Sequence, residues 1–215
     1  MEMNIKEMDK KYIANTYARF PVTFVSGKGS ILIDEAGKEY IDLTSGIAVN
    51  TFGIADDEWL EAVTVQLTKL QHTSNLYYTE PCVKLAKMLC NRTGMKKVFF
   101  SNSGAEANEC AIKAARKYAA NQKGKDYYSI ITLTGSFHGR TITTLAATGQ
   151  ESFHLNFTPL TPGFVYAEAN NLDDLYNKVK QNKVAAVMFE VVQGEGGVIP
   201  LSKEFVKGMA EITQE

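Results

Sequence analysis

Three short segments of this sequence gather the residue types that grip anions, stack on flat rings and hold carboxylates. Residues 101–109 read Ser-Asn-Ser-Gly-Ala-Glu-Ala-Asn-Glu. Ser103 followed three residues later by Glu106 fits a capping box, the mark of a helix start. Gly104 and Ala105 leave the first N–H groups of that helix unobstructed. The segment is therefore either a plain cap or an anion site made of orphan donors and the helix dipole. Residues 135–141 read Gly-Ser-Phe-His-Gly-Arg-Thr. Phe137 offers a face to a ring, His138 stands beside it, and Arg140 can hold a carboxylate through two hydrogen bonds. The plainer reading is a tight turn with one exposed arginine. Residues 190–197 read Glu-Val-Val-Gln-Gly-Glu-Gly-Gly, which places Glu190 and Glu195 on one glycine-rich loop. They form either a polar site or a pair of solvated carboxylates, and acid–base work would require a pKa shift that spacing does not reveal. Common nucleotide patterns are not met. No G-x-x-x-x-G-K-[ST] occurs, and the run from Gly194 has Ile199 where a dinucleotide fingerprint has glycine.

Ligands of an open parallel sheet sit at the carboxyl ends of its strands. Apolar runs predict strands at 98–100, 129–133, 164–167 and 184–192, so each of the three segments follows or closes a strand. Helical spacing recurs over 107–118, 140–147, 172–179 and 203–215. Strand and helix alternating in this way give the α/β class, a mainly parallel sheet with right-handed crossovers and helices on both faces. The beginning is different. A helix precedes Pro21, a hairpin turns at 34–37, Trp59 to Leu70 repeat at helical spacing, and Pro81 opens a helix that stops at Gly94. The sequence thus divides into an N-terminal helix-plus-hairpin segment, 1–53, and an α/β part, 54–215.

The chain has 215 residues, 45% hydrophobic and 22% charged, as expected of a globular protein. With 23 basic and 24 acidic residues the net charge is -1, which gives no electrostatic reason to expect nucleic acid or an anionic membrane as partner. No apolar run approaches the roughly 20 residues that span a bilayer, and the charged N-terminus lacks the apolar stretch of a secretory signal. Cys82, Cys90 and Cys110 form no CxxC pair, and His72, His138 and His154 are scattered, so neither a disulfide framework nor a metal site is expected. The cytoplasm is the expected location.

Taken together, SNSGAEANE, GSFHGRT and QGEGG, with HTSNLYY at 72–78 and SGIAVN at 45–50, resemble the class III, ornithine-type aminotransferases, above all their acetylornithine-using members. The resemblance covers essentially the whole chain. It implies the large domain of a fold-type I transferase over 54–215, incomplete at its C-terminus, with 1–53 belonging to the small domain. It implies pyridoxal 5'-phosphate as cofactor, with the phosphate on Ser103, Gly104 and Ala105 and Phe137 packed on the pyridine ring beside His138. Arg140 would then contact the acylated amino-acid donor. Glu195 would be the glutamate that pairs with a distant arginine and opens for the second substrate, and Glu190 would lie near the ring. The implied reaction moves an amino group from N-acetylornithine to 2-oxoglutarate in arginine biosynthesis, in a homodimer with 72–78 near its interface. Val191 stands where many relatives have proline, a change in loop stiffness more than in chemistry.

One departure from the family pattern is large. No D-E-x-Q motif occurs, and no lysine lies in the expected strand-end context, so the ring-nitrogen aspartate and the Schiff-base lysine are expected beyond Glu215. The chain resembles about the N-terminal half of such an enzyme. Its loops would bind phosphate and ring without efficient turnover, and half a sheet would leave open edges. The expectation is a chain inactive or unstable alone, or a non-catalytic subunit completed by a chain carrying the other half. Ornithine, succinylornithine and 4-aminobutyrate are alternative donors. A generic phosphate-binding domain would explain only the first segment.

Overall fold

The computed structural model describes residues 4–214. They form two compact units, divided between Leu85 and Ala86.

In the first unit, α1 (Ile5–Tyr12) starts at Asn4, whose side chain and that of Glu7 cap each other's backbone N–H. Strands β1 (Phe24–Lys28), β2 (Ile31–Asp34) and β3 (Glu39–Ile41) form an antiparallel sheet in chain order. The predicted hairpin is its second half. Asp34 builds the turn by accepting from Ala36 N and Lys38 N, both at 2.9 Å. Next comes α2 (Ser45–Ala48), a single turn that winds left-handed, with φ of 49°, 60°, 58° and 61°. For non-glycine residues that hand costs about 1–2 kcal/mol each. The Asp42 carboxylate anchors the turn, accepting from Thr44 N, Thr44 Oγ1 and Ser45 N. Helix α3 (Asp57–Lys69) is capped by Asp56, and α4 (Glu80–Thr93), which runs from the first unit into the second, stops at Gly94, whose φ is +73°.

The second unit, from Ala86 onwards, alternates helix and strand after the end of α4. It comprises α5 (Gly104–Lys123), β4 (Ser129–Leu133), α6 (Ile142–Ala147), α7 (Glu151–His154), β5 (Phe164–Ala167), α8 (Leu172–Gln181), β6 (Val184–Val187), β7 (Val192–Gln193), β8 (Ile199–Pro200) and α9 (Lys203–Gln214). The order β5-β4-β6 is parallel throughout, with β4 central. Because side chains alternate along a strand, β4 feeds two cores. Ile131 and Leu133 pack with Leu175 of α8 and with Phe205 and Met209 of α9. Ile130 faces the other way, against Ile112 of α5 and Ala147 of α6. Both faces of the sheet are covered, as a parallel sheet requires.

Two predicted strands differ. Residues 98–100 join no ladder, and Phe99 is 65% exposed. An extended segment is a strand only when a neighbour takes its backbone hydrogen bonds, and none of the described residues does so here. The predicted run 184–192 stops at Val187, and the chain then turns into the small antiparallel pair β7–β8. The outer edge of β6 is therefore unpaired among the described residues. We expect the amides of 98–100 to exchange with solvent as fast as a loop while those of Ile130 to Leu133 are protected, a contrast that hydrogen exchange would read directly.

Candidate active site

The loop 134–141 leaves β4 at its carboxyl end, and close backbone approaches fix its course. Gly135 has φ +78°, and the oxygen of Gly135 lies 2.3 Å from where a Cβ on Gly196 would sit. The buried Gln193 donates to Thr134 O at 2.9 Å. The loops after β4 and β7 are thereby pressed together, with no room for side chains where they meet. At the far end, a Cβ on Gly139 would fall 2.8 Å from the Ala105 Cβ and 2.6 Å from Thr144 Oγ1. Glycine is required there both for space and for its φ of +129°.

The first turns of α5 hold the same loop. Asn108 Nδ2 donates to His138 O at 2.8 Å, and the Glu109 carboxylate accepts from Thr141 Oγ1 at 2.5 Å. Thr141 in turn caps α6 through Thr144. Glu190, after β6, reaches across to accept from Phe137 N at 2.9 Å and from Gly194 N at 3.3 Å. All three segments marked in the sequence are thus joined, with Ala105, Phe137, Gly139 and Glu190 at the contacts.

The start of α5 offers two open donors. Gly104 N–H and Ala105 N–H have no acceptor among the described residues, and the space beside Gly104 is empty to 4 Å. Ser103 is differently occupied. Its hydroxyl accepts from Glu106 N at 3.2 Å and donates to the Glu106 carboxylate at 3.1 Å, which also takes Asn102 N at 2.9 Å. Hydrogen bonds from Asn102 and Ser103 hold the Glu106 carboxyl below its ordinary pKa. An anion at this terminus would rest on the two backbone groups.

Around the second loop, Phe137 packs on Phe153 with ring centroids 5.6 Å apart, and the Arg140 guanidinium lies over Phe153 at 5.7 Å. Arg140 is exposed, so its donors remain open to a ligand. His138 is 4% exposed. Thr148 Oγ1 accepts from its backbone N–H at 3.0 Å, yet its ring Nε2 has no partner among the described residues. Burial pushes the imidazole below its usual pKa, opposed in part by the Glu190 carboxylate. The unfolded imidazole takes up a proton near pH 6.5 and the folded one only at lower pH, so the unfolded state binds more protons in that window. Stability is expected to fall as the pH drops below about 6.5 and to level off below the folded pKa. Urea midpoints at neutral and mildly acidic pH check this, and His138→Asn should flatten the difference.

Phe153, Gln150, Gln193, Asn108 and Glu109 are residues whose part in the site the sequence did not reveal. Asn108, Glu109 and Gln193 lie inside the marked motifs, whereas Gln150 and Phe153 carry no local signal. Among the described residues no group of three His, Cys, Asp or Glu side chains is placed to hold a metal ion, and no helix is long and apolar enough to cross a membrane.

The model of the aminotransferase class-III family matches residues 12–215. The chain belongs to this family. It is 52% identical over 210 residues to the acetylornithine aminotransferase of Haemophilus ducreyi, covering 98% of this chain and 53% of that one. Its fold superposes with a TM-score of 0.79 on N-acetylornithine aminotransferase from Stenotrophomonas maltophilia, at 36% identity, over 96% of this chain and 50% of the other. It also matches ornithine aminotransferase from Toxoplasma gondii at a TM-score of 0.89 and 30% identity, covering 96% and 49% of the two chains. That structure is described as having partial occupancy of PLP at its active site. The chain spans about half the length of the curated relatives it matches. Its α/β architecture, with a parallel core sheet flanked by helices, is that of the fold-type I transferases.

Proposed function

We propose that this chain carries the phosphate and ring half of a pyridoxal phosphate site and works in amino transfer from N-acetylornithine to 2-oxoglutarate. The observation that carries the reading is the meeting of three loops. An open helix start, an aromatic beside an exposed arginine, and a carboxylate-bearing glycine loop are locked together by Gly139 on Ala105 and by Glu190 on Phe137. Gly104 N–H and Ala105 N–H would bind the phosphate. Phe137 would flank the ring, His138 would stand beside it, and Ser103 would shape the terminus as its cap. Bound there, pyridoxal phosphate supplies a conjugated cationic ring that takes up the electron pair left when the donor's α-proton is removed. Arg140 would orient the donor through its carboxylate. Glu195 would face the distal end of each substrate, with Glu190 fixing Phe137 from behind.

The covalent lysine and the ring-nitrogen partner would come from polypeptide corresponding to the other half of the relatives. Support comes from the unpaired edge of β6, beside an apolar groove of about 260 Å³ lined by Ile112, Ala115, Ile130, Val187 and Met188. A parallel sheet leaves such an edge only at a cost in exposed backbone and apolar surface. In this reading the chain is completed by a second polypeptide or segment, in the cytoplasm, within an assembly of two such enzymes. The test is to join the chain to the second half of a curated acetylornithine relative and follow glutamate formation. N-acetylornithine is expected to be the best donor among N-acetylornithine, succinylornithine, ornithine and 4-aminobutyrate. No turnover with any of them, in a product that folds and binds the cofactor, would refute the proposal.

A further inference from the structure

Glu195 is exposed on the loop between β7 and β8, yet its carboxylate is held. Oε2 accepts from Gln150 Nε2 at 2.6 Å. The same nitrogen donates to the carbonyl of the fully buried Ser136 at 3.2 Å. Gln150 is half-buried and immediately precedes α7, the helix that supplies Phe153 under Arg140 and against Phe137. One short segment therefore reaches the aromatic shelf, the arginine and the glutamate.

We propose that Gln150 is a positioning residue that parks the Glu195 carboxylate while a dicarboxylic oxo acid occupies the site. The inference rests on the aminotransferase reading above. Its basis is charge. A site that serves an amino donor and then a 2-oxo dicarboxylic acid must accept one carboxylate more in the second half of its cycle. A glutamate left at that end repels the incoming anion at close range. It needs an alternative partner, and a neutral amide can hold it without attracting the substrate's own carboxylates as an added cation would. Neither Arg140 nor Glu195 takes part in an ion pair among the described residues, so no opposite charge within the chain competes with Gln150 for Glu195 or with a ligand for Arg140.

The test uses the chain joined to the second half of a curated relative, with the two half-reactions measured separately. Gln150→Leu is expected to raise the KM for 2-oxoglutarate roughly fivefold, the worth of one hydrogen bond to a charged group at an exposed site, and to change the donor half-reaction much less. Gln150→Lys, which grips the carboxylate harder, is expected to move the ratio of the two KM values the opposite way. A merely structural role would lower kcat in both halves together, and that result overturns the proposal. Glu195→Gln separates the two readings. If it shifts the ratio while Gln150→Leu does not, the proposal for Gln150 fails alone. If it shifts nothing, the assigned role of Glu195 fails and the proposal falls with it. A second readout needs no turnover. In the isotope-labelled chain alone, the side-chain amide resonance of Gln150 should move on Glu195→Gln, and an unmoved resonance overturns the proposal whatever the joined enzyme does.

Discussion

Gly104→Asp is expected to lower the chain's affinity for pyridoxal phosphate about 100-fold while its melting temperature stays the same or rises slightly. The two effects have opposite signs because one feature serves two purposes. Gly104 is the first residue of α5, and a side chain there meets nothing within 4 Å. An acidic group at a helix N-terminus stabilises by about 0.3–1 kcal/mol. Against a bound phosphate the same charge repels, by about 4 kcal/mol at 4 Å for an effective dielectric of 20. Screening at an exposed site reduces this, and about 2.7 kcal/mol corresponds to the 100-fold loss. Fluorescence titration beside a thermal melt reads both quantities. If the segment were only a cap, the melt would shift and the affinity would not.

The second large effect is on stability. Glu190→Ala is expected to cost about 2–3 kcal/mol, because Phe137 N–H and Gly194 N–H lose a charged acceptor at once. Glu190→Gln keeps an acceptor without the charge, and roughly half that loss is expected. A further consequence involves His138. Its imidazole is raised by the Glu190 carboxylate against the larger effect of burial, so removing that carboxylate lowers it further. The window in which the unfolded state holds the extra proton then widens downwards, and Glu190→Ala should be more acid-sensitive than the parent. Urea unfolding at two pH values measures both consequences.

Much of the architecture was legible in the residues. Ile130, Ile131 and Leu133 alternate between two cores, and the three parallel strands occur where apolar runs predict them. The failure at 98–100 has a physical cause. Valine and phenylalanine suit a pleated surface, but a strand is a property of a pair, and a local pattern does not show whether a partner is at hand. The run from Val184 was read too long for a related reason. Glu190 must turn back to reach Phe137 N, and a continuous apolar stretch does not reveal where the chain turns.

The site was legible as chemistry and illegible as joinery. Phe137, Arg140 and the glycines announced themselves by type and spacing. The groups that fasten the loops are ordinary polar side chains whose partners are far along the chain. Asn108 reaches His138 across 30 residues, and Gln193 reaches Thr134 across 59. No periodicity records such contacts. Ser103 and Glu106, read as a capping box, do cap α5, but Glu106 closes on Asn102 N and Ser103 Oγ rather than on Ser103 N.

The most direct measurement is a titration of the chain with pyridoxal phosphate, followed by borohydride reduction and peptide mapping. The chain is expected to bind about one equivalent reversibly, to lose that binding on Gly104→Asp, and to show no single lysine labelled after reduction. Stoichiometric labelling of one lysine in this chain would contradict the central claim, since the covalent anchor would then lie beside the phosphate grip and not in the other half.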